Sequence, residues 1–363
     1  MKKLLQLLYP GLGGHSSVAF SLIEGDSNIE FSHTLLGFGI EQPSQSFIKK
    51  ANELKTDFDS VLKVKGLDVK SQYRVFKILK KQKPDIILMH STSLVFIVWI
   101  YCLLYKKKWA AIEHQANQAK GIKDWVYTFF ILHLAPHIVY LTPQYKKEIR
   151  EKFHFIPNKK IKIISNGINL EKFRKYTSKD KINNEQEIIT ISMISRMNYL
   201  RDHKTLIEAF KILYDKYTNI ELYIAGDGEQ RQKYIDYANI LNLKNIYFLG
   251  SLNENQIIDL LNKSDIYVHS SLAETLSTSL LQVAACKVPI VATDIEGINN
   301  LLENKTEALL FQPKNKYQLV DTINAIIDNT ELRGKLVDNA YNKVKVLYNN
   351  KNMFKQYKQI FYS

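Results

Sequence analysis

"SSLAETLSTSLLQVAACKVPIVATD", Ser270 to Asp294, is the stretch whose reading decides the fold. It follows a short apolar run, Ile266 to His269, and passes through a polar turn holding Glu274, Ser277, Thr278 and Ser279. It then becomes apolar at helical spacing from Ser279 to Cys286 and ends on a second apolar run, Ile290 to Thr293. Strand, helix and strand in this order form a βαβ unit, and its two strands must lie parallel. Small hydroxyl residues are ordinary helix caps. The turn alone therefore leaves open whether Glu274 and its neighbours serve the helix or a ligand.

Working outward, the same alternation recurs on both sides. Upstream within the second half, strands are expected at Ile188–Met193, Glu221–Ala225 and Ile246–Leu249, with helices at Lys204–Tyr217, Glu229–Leu241 and Gln256–Leu261. In the first half the strand candidates are Leu4–Tyr9, His33–Phe38, Ser60–Val64, Asp85–His90, Ala110–Glu113, His137–Leu141 and Ile161–Ile164. Helical stretches such as Val69–Lys83 and Lys123–Leu134 lie between them. Such alternation predicts α/β architecture with parallel sheets and helices on both faces. "EKFRKYTSKDKINNEQE", residues 171–187, is charged and lacks apolar periodicity, as a linker does. The expected plan is a domain at 1–170, this linker, and a second domain at 188–345. A terminal helix is expected at 346–363, within a stretch that reads as helical from Tyr341 to Tyr362. Ligands of doubly wound sheets sit beyond the carboxyl ends of the strands, so the two domains are expected to face each other across a cleft that holds the site.

Composition bounds the function. The 363 residues, 45% hydrophobic and 24% charged, suffice for two cores. Cys102 and Cys286 lie far apart in apolar runs, a pattern of buried thiols in a reducing compartment rather than a disulfide framework. The opening "MKKLLQLLYPGLGG" is cut by Pro10 and Gly11, too early for a signal peptide. Residues 92–105, "TSLVFIVWIYCLLY", fall short of the roughly 20 apolar residues of a spanning helix and read as a core helix. Net charge is +14, with 25 Lys+Arg against 13 Asp+Glu through Leu170 and 25 against 23 beyond it. The basic first half favours a polyanion or an anionic membrane surface; a well-solvated lysine-rich surface reads the same way. No interleaved basic and aromatic motif of a recognised nucleic-acid module accompanies the charge.

The strand ends carry the chemistry. "YPGLGGHSSVAF", Tyr9 to Phe20, is a strand, three glycines and a helix start, suited to bringing backbone N–H groups close to an anion. Ser16 stands where the last glycine of a dinucleotide fingerprint belongs, and no acidic residue is placed to read a ribose, so a dehydrogenase has little support; a plain tight turn also fits. Arg196 ends a strand and Arg201 precedes a helix in "MISRMNYLRDHKTLIEAF". Two guanidinium groups at that interval suit a diphosphate, though surface arginines look alike. Asp227 in "AGDG" reads as a turn residue. Beside these, Glu274 and the helix start after it combine an acceptor for hydroxyl groups with an anion cradle, a mixture suited to a sugar phosphate.

Over most of its length the chain resembles the retaining glycosyltransferases of family 4. The resemblance is carried by residues 11–14, "EHQ" at Glu113–Gln115, "SNGINLEKF" at Ser165–Phe173, Arg196, "YIAGDG", "NIYFLGSL" and above all "SSLAETLSTSLLQVAACKVPIVATDIEGINNLL". It implies a GT-B fold of two Rossmann-like doubly wound domains, with the terminal helix at 346–363 crossing back to the first domain, and no cofactor or metal, in keeping with the lack of an Asp-x-Asp at a strand end. It also implies a nucleoside-diphosphate sugar donor, here a UDP-sugar. Gly13 and Gly14 would line the donor phosphates, and His114 would meet the transferring sugar. Arg196 and Arg201 would hold the diphosphate, and Glu274 the sugar hydroxyls. The N–H groups of Ser277 and Thr278 would meet phosphate, and Leu249 and Leu252 would border the base. His114, Glu274, Arg196 and Arg201 form the expected catalytic set.

Two positions depart from the family pattern. Arg201 stands where lysine is usual, and Gln282 where a second glutamate accepts the ribose diol. Loss of charge assistance at Gln282 weakens donor binding by an expected ~1 kcal/mol. The resemblance implies front-face retaining transfer of a hexosyl or N-acetylhexosaminyl group, with the leaving diphosphate deprotonating the acceptor. The expected acceptor is a glycan, held by the first domain. A lipid-diphosphate-linked one fits surface polysaccharide synthesis, lipopolysaccharide or capsule, by a peripheral protein at the cytoplasmic face of the cell membrane, with no nucleic-acid partner. The alternative is a non-catalytic nucleotide- or glycan-binding protein derived from such an enzyme.

Overall fold

Seven parallel strands form the first sheet of the computed structural model: β1 (Lys2–Leu8), β2 (Phe31–Gly39), β3 (Asp57–Leu62), β4 (Ile86–Met89), β5 (Lys108–Glu113), β6 (His137–Tyr140) and β7 (Ile161–Ile163). The structure describes residues 1–10, 14–66, 68–115, 117, 120–154, 156–173 and 188–362. Their order is β3-β2-β1-β4-β5-β6-β7. Helices α1 (Gly14–Gly25), α2 (Gln45–Glu53), α3 (Val69–Gln82), α4 (Val95–Tyr105), α5 (Ile122–Leu134) and α6 (Pro143–Lys152) alternate with them. Side chains of β1 divide between two cores, as strand geometry requires. Leu5 and Leu7 join Val75, Val98 and Ile131 on one face, and Leu8 joins Ala19, Phe20 and Phe47 on the other. Each such buried Val, Leu, Ile or Phe side chain contributes roughly 1.5–3 kcal/mol.

The second sheet runs β10-β9-β8-β11-β12-β13, from β8 (Ile189–Ile194), β9 (Ile220–Ala225), β10 (Ile246–Gly250), β11 (Ile266–His269), β12 (Ile290–Thr293) and β13 (Leu309–Phe311). With it go α7 (His203–Lys216), α8 (Arg231–Ile240), α9 (Glu254–Lys263), α10 (Thr278–Ala285), α11 (Glu296–Asn299), α12 (Lys316–Asp328) and α13 (Thr330–Leu347). Local sequence explains several boundaries. Asn253 and Gln256 close a capping box on α9. Thr142 caps α6, with Pro143 in its first turn.

The chain divides into one unit of Met1–Asn169 with Asn349–Ser363 and another of Leu170–Tyr348. The last helix, α14 (Asn350–Tyr362), packs in the first unit. Phe354 and Phe361 meet Phe31 edge-on at 5.9 and 5.7 Å. Most of the linker reading, residues 174–187, lies outside the described residues.

Three expectations are corrected. The strand read at Ser60–Val64 lies at Asp57–Leu62, paired in register from Thr34↔Asp57 to Gly39↔Leu62, and the amide of Lys63 closes this ladder on the carbonyl of Gly39 at 2.9 Å. The helical stretch read across Tyr341–Tyr362 is two helices: Tyr348 leaves helical geometry at φ −122°, and the Asn349 side chain caps the new helix by accepting from the amide of Asn352 at 2.8 Å. The core helix read at Thr92–Tyr105 begins at Val95 and buries one face only. Val95, Val98, Tyr101 and Cys102 are inside, whereas Leu103 and Leu104 are 65% and 63% exposed. Helices α2, α6, α11 and α12, the first part of α13 and strand β13 are additional to the sequence reading.

Both sheets reverse their winding once, between β1 and β4 and between β8 and β11. Adjacent loops depart there to opposite faces and leave a crevice at the carboxyl ends.

Candidate active site

At the second reversal the ends of β8, β9 and β10 are laced together. The amide of Ser195 donates to the carbonyl of Ala225, Met197 to Asp227 and Gly226 to Gly250, at 3.0, 2.9 and 2.7 Å. Gly226, at φ +132°, makes this possible: a Cβ there would lie 1.9 Å from the carbonyl oxygen of Ser195. The lacing holds the loop that carries Arg196, whose side chain is exposed, and places Leu249, 39% exposed, beside the loop after β9. Asp227 serves the turn, accepting from the amide of Gly228.

Across the reversal, β11 ends in His269 and the chain turns through Glu274 into α10. The carboxylate of Glu274 accepts from Arg201 Nη2 at 3.0 Å and from His269 Nε2 at 3.2 Å; its other oxygen accepts from the amide of Thr275. Although burial favours the neutral acid, the Arg201 charge and the His269 hydrogen bond win and hold the carboxyl down to about 2. Arg201 Nη1 also donates to Ser271 Oγ at 2.5 Å and to the carbonyl of Ala273 at 2.6 Å. Gly297 of α11 seals the turn: a Cβ there would lie 1.9 Å from the carbonyl oxygen of Glu274. Ser277 is the N-cap of α10 and accepts from the amide of Leu280, with Thr278 opening the helix. The first-turn N–H groups of a helix have no partner within it and attract anions. Gln282, half-buried, lies one turn further along, on the same face as Thr278.

At the first reversal Gly14 opens α1, and a Cβ there meets nothing within 4 Å, so packing does not demand glycine at this position. Gly13 lies outside the described residues. His114 follows β5 directly. Glu113 beside it accepts from the amide of Gln115 at 3.0 Å and pairs with Lys120 at 2.7 Å. His114 Nε2 meets Nδ1 of His90 at 2.9 Å, and the ring of His15 lies 4.3 Å from that of His114.

The structure therefore gathers Arg201, Glu274, Ser277 and Thr278 in one turn and puts His114 at the carboxyl edge of the other sheet. Sequence reasoning missed His269, Ser271, Gly297, His90 and Gln6. One signal was available: β4, β5 and β11 all run directly into a histidine at their carboxyl ends.

Apart from these edges, α4 and α5 present an apolar face. They pack through Phe96 and Phe130, 4.8 Å apart. Ile100, Leu103, Leu104 and Tyr105 of α4 are exposed, as are Ile122, Val126 and Phe129 of α5. Lys106, Lys107 and Lys108 follow α4, and the Lys152 ammonium lies 3.6 Å over the Trp125 ring. No described helix is long and apolar enough to cross a membrane.

Two doubly wound sheets, each with its polar loops at the reversal, are the architecture of the GT-B glycosyltransferases. Anabaena HepE in complex with UDP and glucose matches at a TM-score of 0.82 and 15% identity over 100% of both chains. A variant of S. aureus TarM in complex with fondaparinux, alpha-GlcNAc-glycerol and UDP matches at 0.81 and 14%, again over 100% of both. The chain belongs to the glycosyltransferases: residues 13–172 match Glycosyltransferase Family 4 and residues 174–343 match Glycosyl transferases group 1. An uncharacterized glycosyltransferase of Methanocaldococcus jannaschii is 28% identical over 307 residues, 80% of this chain and 78% of its own. The UDP-Gal:alpha-D-GlcNAc-diphosphoundecaprenol alpha-1,3-galactosyltransferase of Escherichia coli is 25% identical over 303 residues, 77% of each.

Proposed function

We propose that this glycosyltransferase moves a hexosyl or N-acetylhexosaminyl group from a UDP-sugar, with retention, to a lipid-diphosphate-linked glycan. The observation that carries the reading is the Glu274 turn: an ionised carboxylate and a helix N-terminus side by side at a sheet reversal. The carboxylate would accept sugar hydroxyls while the N–H groups of Ser277 and Thr278 receive the leaving phosphate. Charge on the departing diphosphate is stabilised by this N-terminus and by Arg196 without a metal ion, an electrostatic contribution of the kind that dominates such catalysis. Arg201, with both Nη atoms occupied within the turn, serves first to fix Glu274. Leu249 and Leu252 border the base, Gln282 the ribose, and Gly13 and Gly14 the phosphates.

Support for the donor comes from the UDP held by HepE and TarM, and support for the acceptor from the diphosphoundecaprenol acceptor of the E. coli relative. The apolar face of α4 and α5 with its flanking lysines fits a peripheral protein at an anionic cytoplasmic membrane face, apolar side chains entering the interface and ammonium groups meeting headgroups. Such a place suits surface polysaccharide synthesis. Incubation with a panel of UDP-, GDP- and ADP-sugars and a lipid-diphosphate acceptor should give α-linked product from a UDP-sugar, and none with Glu274→Ala. A wild type that binds UDP but turns over no donor would instead favour a binding protein. Flotation with anionic vesicles should carry the protein up and should fail with Leu103→Glu/Leu104→Glu; equal flotation on neutral vesicles at low salt would remove the electrostatic half of this reading.

A further inference from the structure

Behind His114 runs a chain of hydrogen bonds whose direction is fixed at its far end. Gln6 lies wholly buried in β1, on the face toward α1. Its Nε2 donates to the carbonyl of Ala19 at 3.2 Å, and a carbonyl can only accept, so the amide orientation is settled. Its Oε1 is then the acceptor facing His90 Nε2 at 3.0 Å, which must carry the proton. A neutral imidazole has one N–H. His90 Nδ1 is therefore a lone pair, and His114 Nε2, 2.9 Å away, must be the donor. By the same count, Nδ1 of a neutral His114 is an acceptor. The rings of His90 and His114 are within 16° of parallel with centroids 5.1 Å apart, a geometry compatible with a hydrogen bond close to both ring planes.

We infer that Gln6 and His90 are positioning residues that lock His114 in the Nε2–H tautomer, so that its Nδ1 accepts a hydroxyl hydrogen of the transferring sugar. This rests on the reading that His114 meets that sugar. The lock explains what a buried amide and a second histidine do at the β1–β4 reversal. A neutral acceptor also suits the chemistry, because positive charge grows on the sugar as the glycosidic bond breaks and an imidazolium would oppose it. Burial holds both rings well below the usual histidine range. Among the described residues, the titratable groups bearing on the pair are His15 of α1 and the two rings themselves.

Long-range proton–nitrogen correlation spectra of histidine-labelled protein test the lock directly. Both His90 and His114 should show a protonated Nε2 and a bare Nδ1, with no titration between pH 8 and about 5.5. A protonated Nδ1 on His114, or a midpoint near the ordinary value, would overturn it. Gln6→Met should let the tautomers mix and lower kcat roughly 10- to 100-fold, with donor KM moving less, as expected when an orienting partner is lost. Unchanged spectra and kcat in that variant count against the proposal. His114→Ala separates the two layers: undiminished transfer there refutes the sugar contact, while the wild-type spectrum still decides the lock.

Discussion

Glu274 keeps its charge because Arg201, His269 and the amide of Thr275 each donate to it. Its side chain is only 9% exposed and that of Arg201 21%, so neither ion is fully hydrated and each depends on the other. Glu274→Gln preserves shape but leaves the guanidinium without its counter-charge. Stability should fall by roughly 2 kcal/mol, less than the about 3–5 kcal/mol of a fully buried broken pair because Arg201 keeps some water. For a unit of this size that is about 4–8 °C in the melting temperature, and transfer should drop at least about 100-fold. A variant melting within a degree of wild type would show that the pair is held by its surroundings rather than by charge. At this scale Glu274, Ser277 and Thr278 were legible, since a polar turn between a buried strand and a helix is a local pattern. His269, Ser271 and Gln6 were not: their meaning depends on partners distant in sequence, and in sequence each reads as an ordinary strand residue.

The seat of α14 is set by two glycines far from it in sequence. A Cβ on Gly25 would stand 2.4 Å from the carbonyl oxygen of Asn350, and one on Gly167 would stand 2.7 Å from that of Asn349. Through this gap Asn350 donates its amide to the carbonyl of Ile168 at 3.0 Å, and Tyr357 is buried beyond it. Backbone cannot retreat as a flexible side chain can, so Gly25→Ala should cost about 1–3 kcal/mol and speed hydrogen exchange in α14 before the rest of the unit. Gly334 is the contrast. It lies exposed inside α13 with nothing within 4 Å of its Cβ, so Gly334→Ala should stabilise by about 0.5–1 kcal/mol. If both alanines stabilise, the contact argument fails and helix propensity alone governs. The alternating strands and helices were legible because a two-layer cover forces apolar runs of two distinct periods. The division of the stretch Tyr341–Tyr362 was not, since the break at Tyr348 follows from the pairing of Asn349 with Ile168. Only the capping asparagine marks it locally.

On the scale of the whole molecule, histidines buried as neutral rings tie both units to pH. His90 and His114 in the first unit lie well below the usual range because burial excludes the charged form. In the second unit burial brings His203 to about 4 and lowers His269. His203 sits between Ser195 Oγ at 3.1 Å and the carbonyl of Arg201 at 3.2 Å, so its ring braces the very loop that carries both arginines. In the unfolded chain each ring regains a value near 6.5. Between that value and the folded one, the unfolded state holds a proton that the native state refuses, so stability is complete above pH 6.5 and declines as pH falls. From pH 7 to 5.5 each fully neutral ring removes about 1.2 kcal/mol. His90 and His114 together should therefore cost the first unit about 2.5 kcal/mol over a range where carboxylates hardly contribute. Glu274 adds a later stage: its stabilisation is intact above its unfolded value near 4.5 and is lost as pH falls through its folded value of about 2. Urea titrations at pH 7.0 and 5.5, followed by probes in each unit, measure the first stage. Replacing His203 with Gln, which can still donate to one neighbour and accept from the other, should flatten the slope of the second unit and leave that of the first unchanged. Equal urea midpoints at the two pH values would mean that the rings take up protons in the folded protein after all. The tautomer order behind His114 could not then hold below neutral pH.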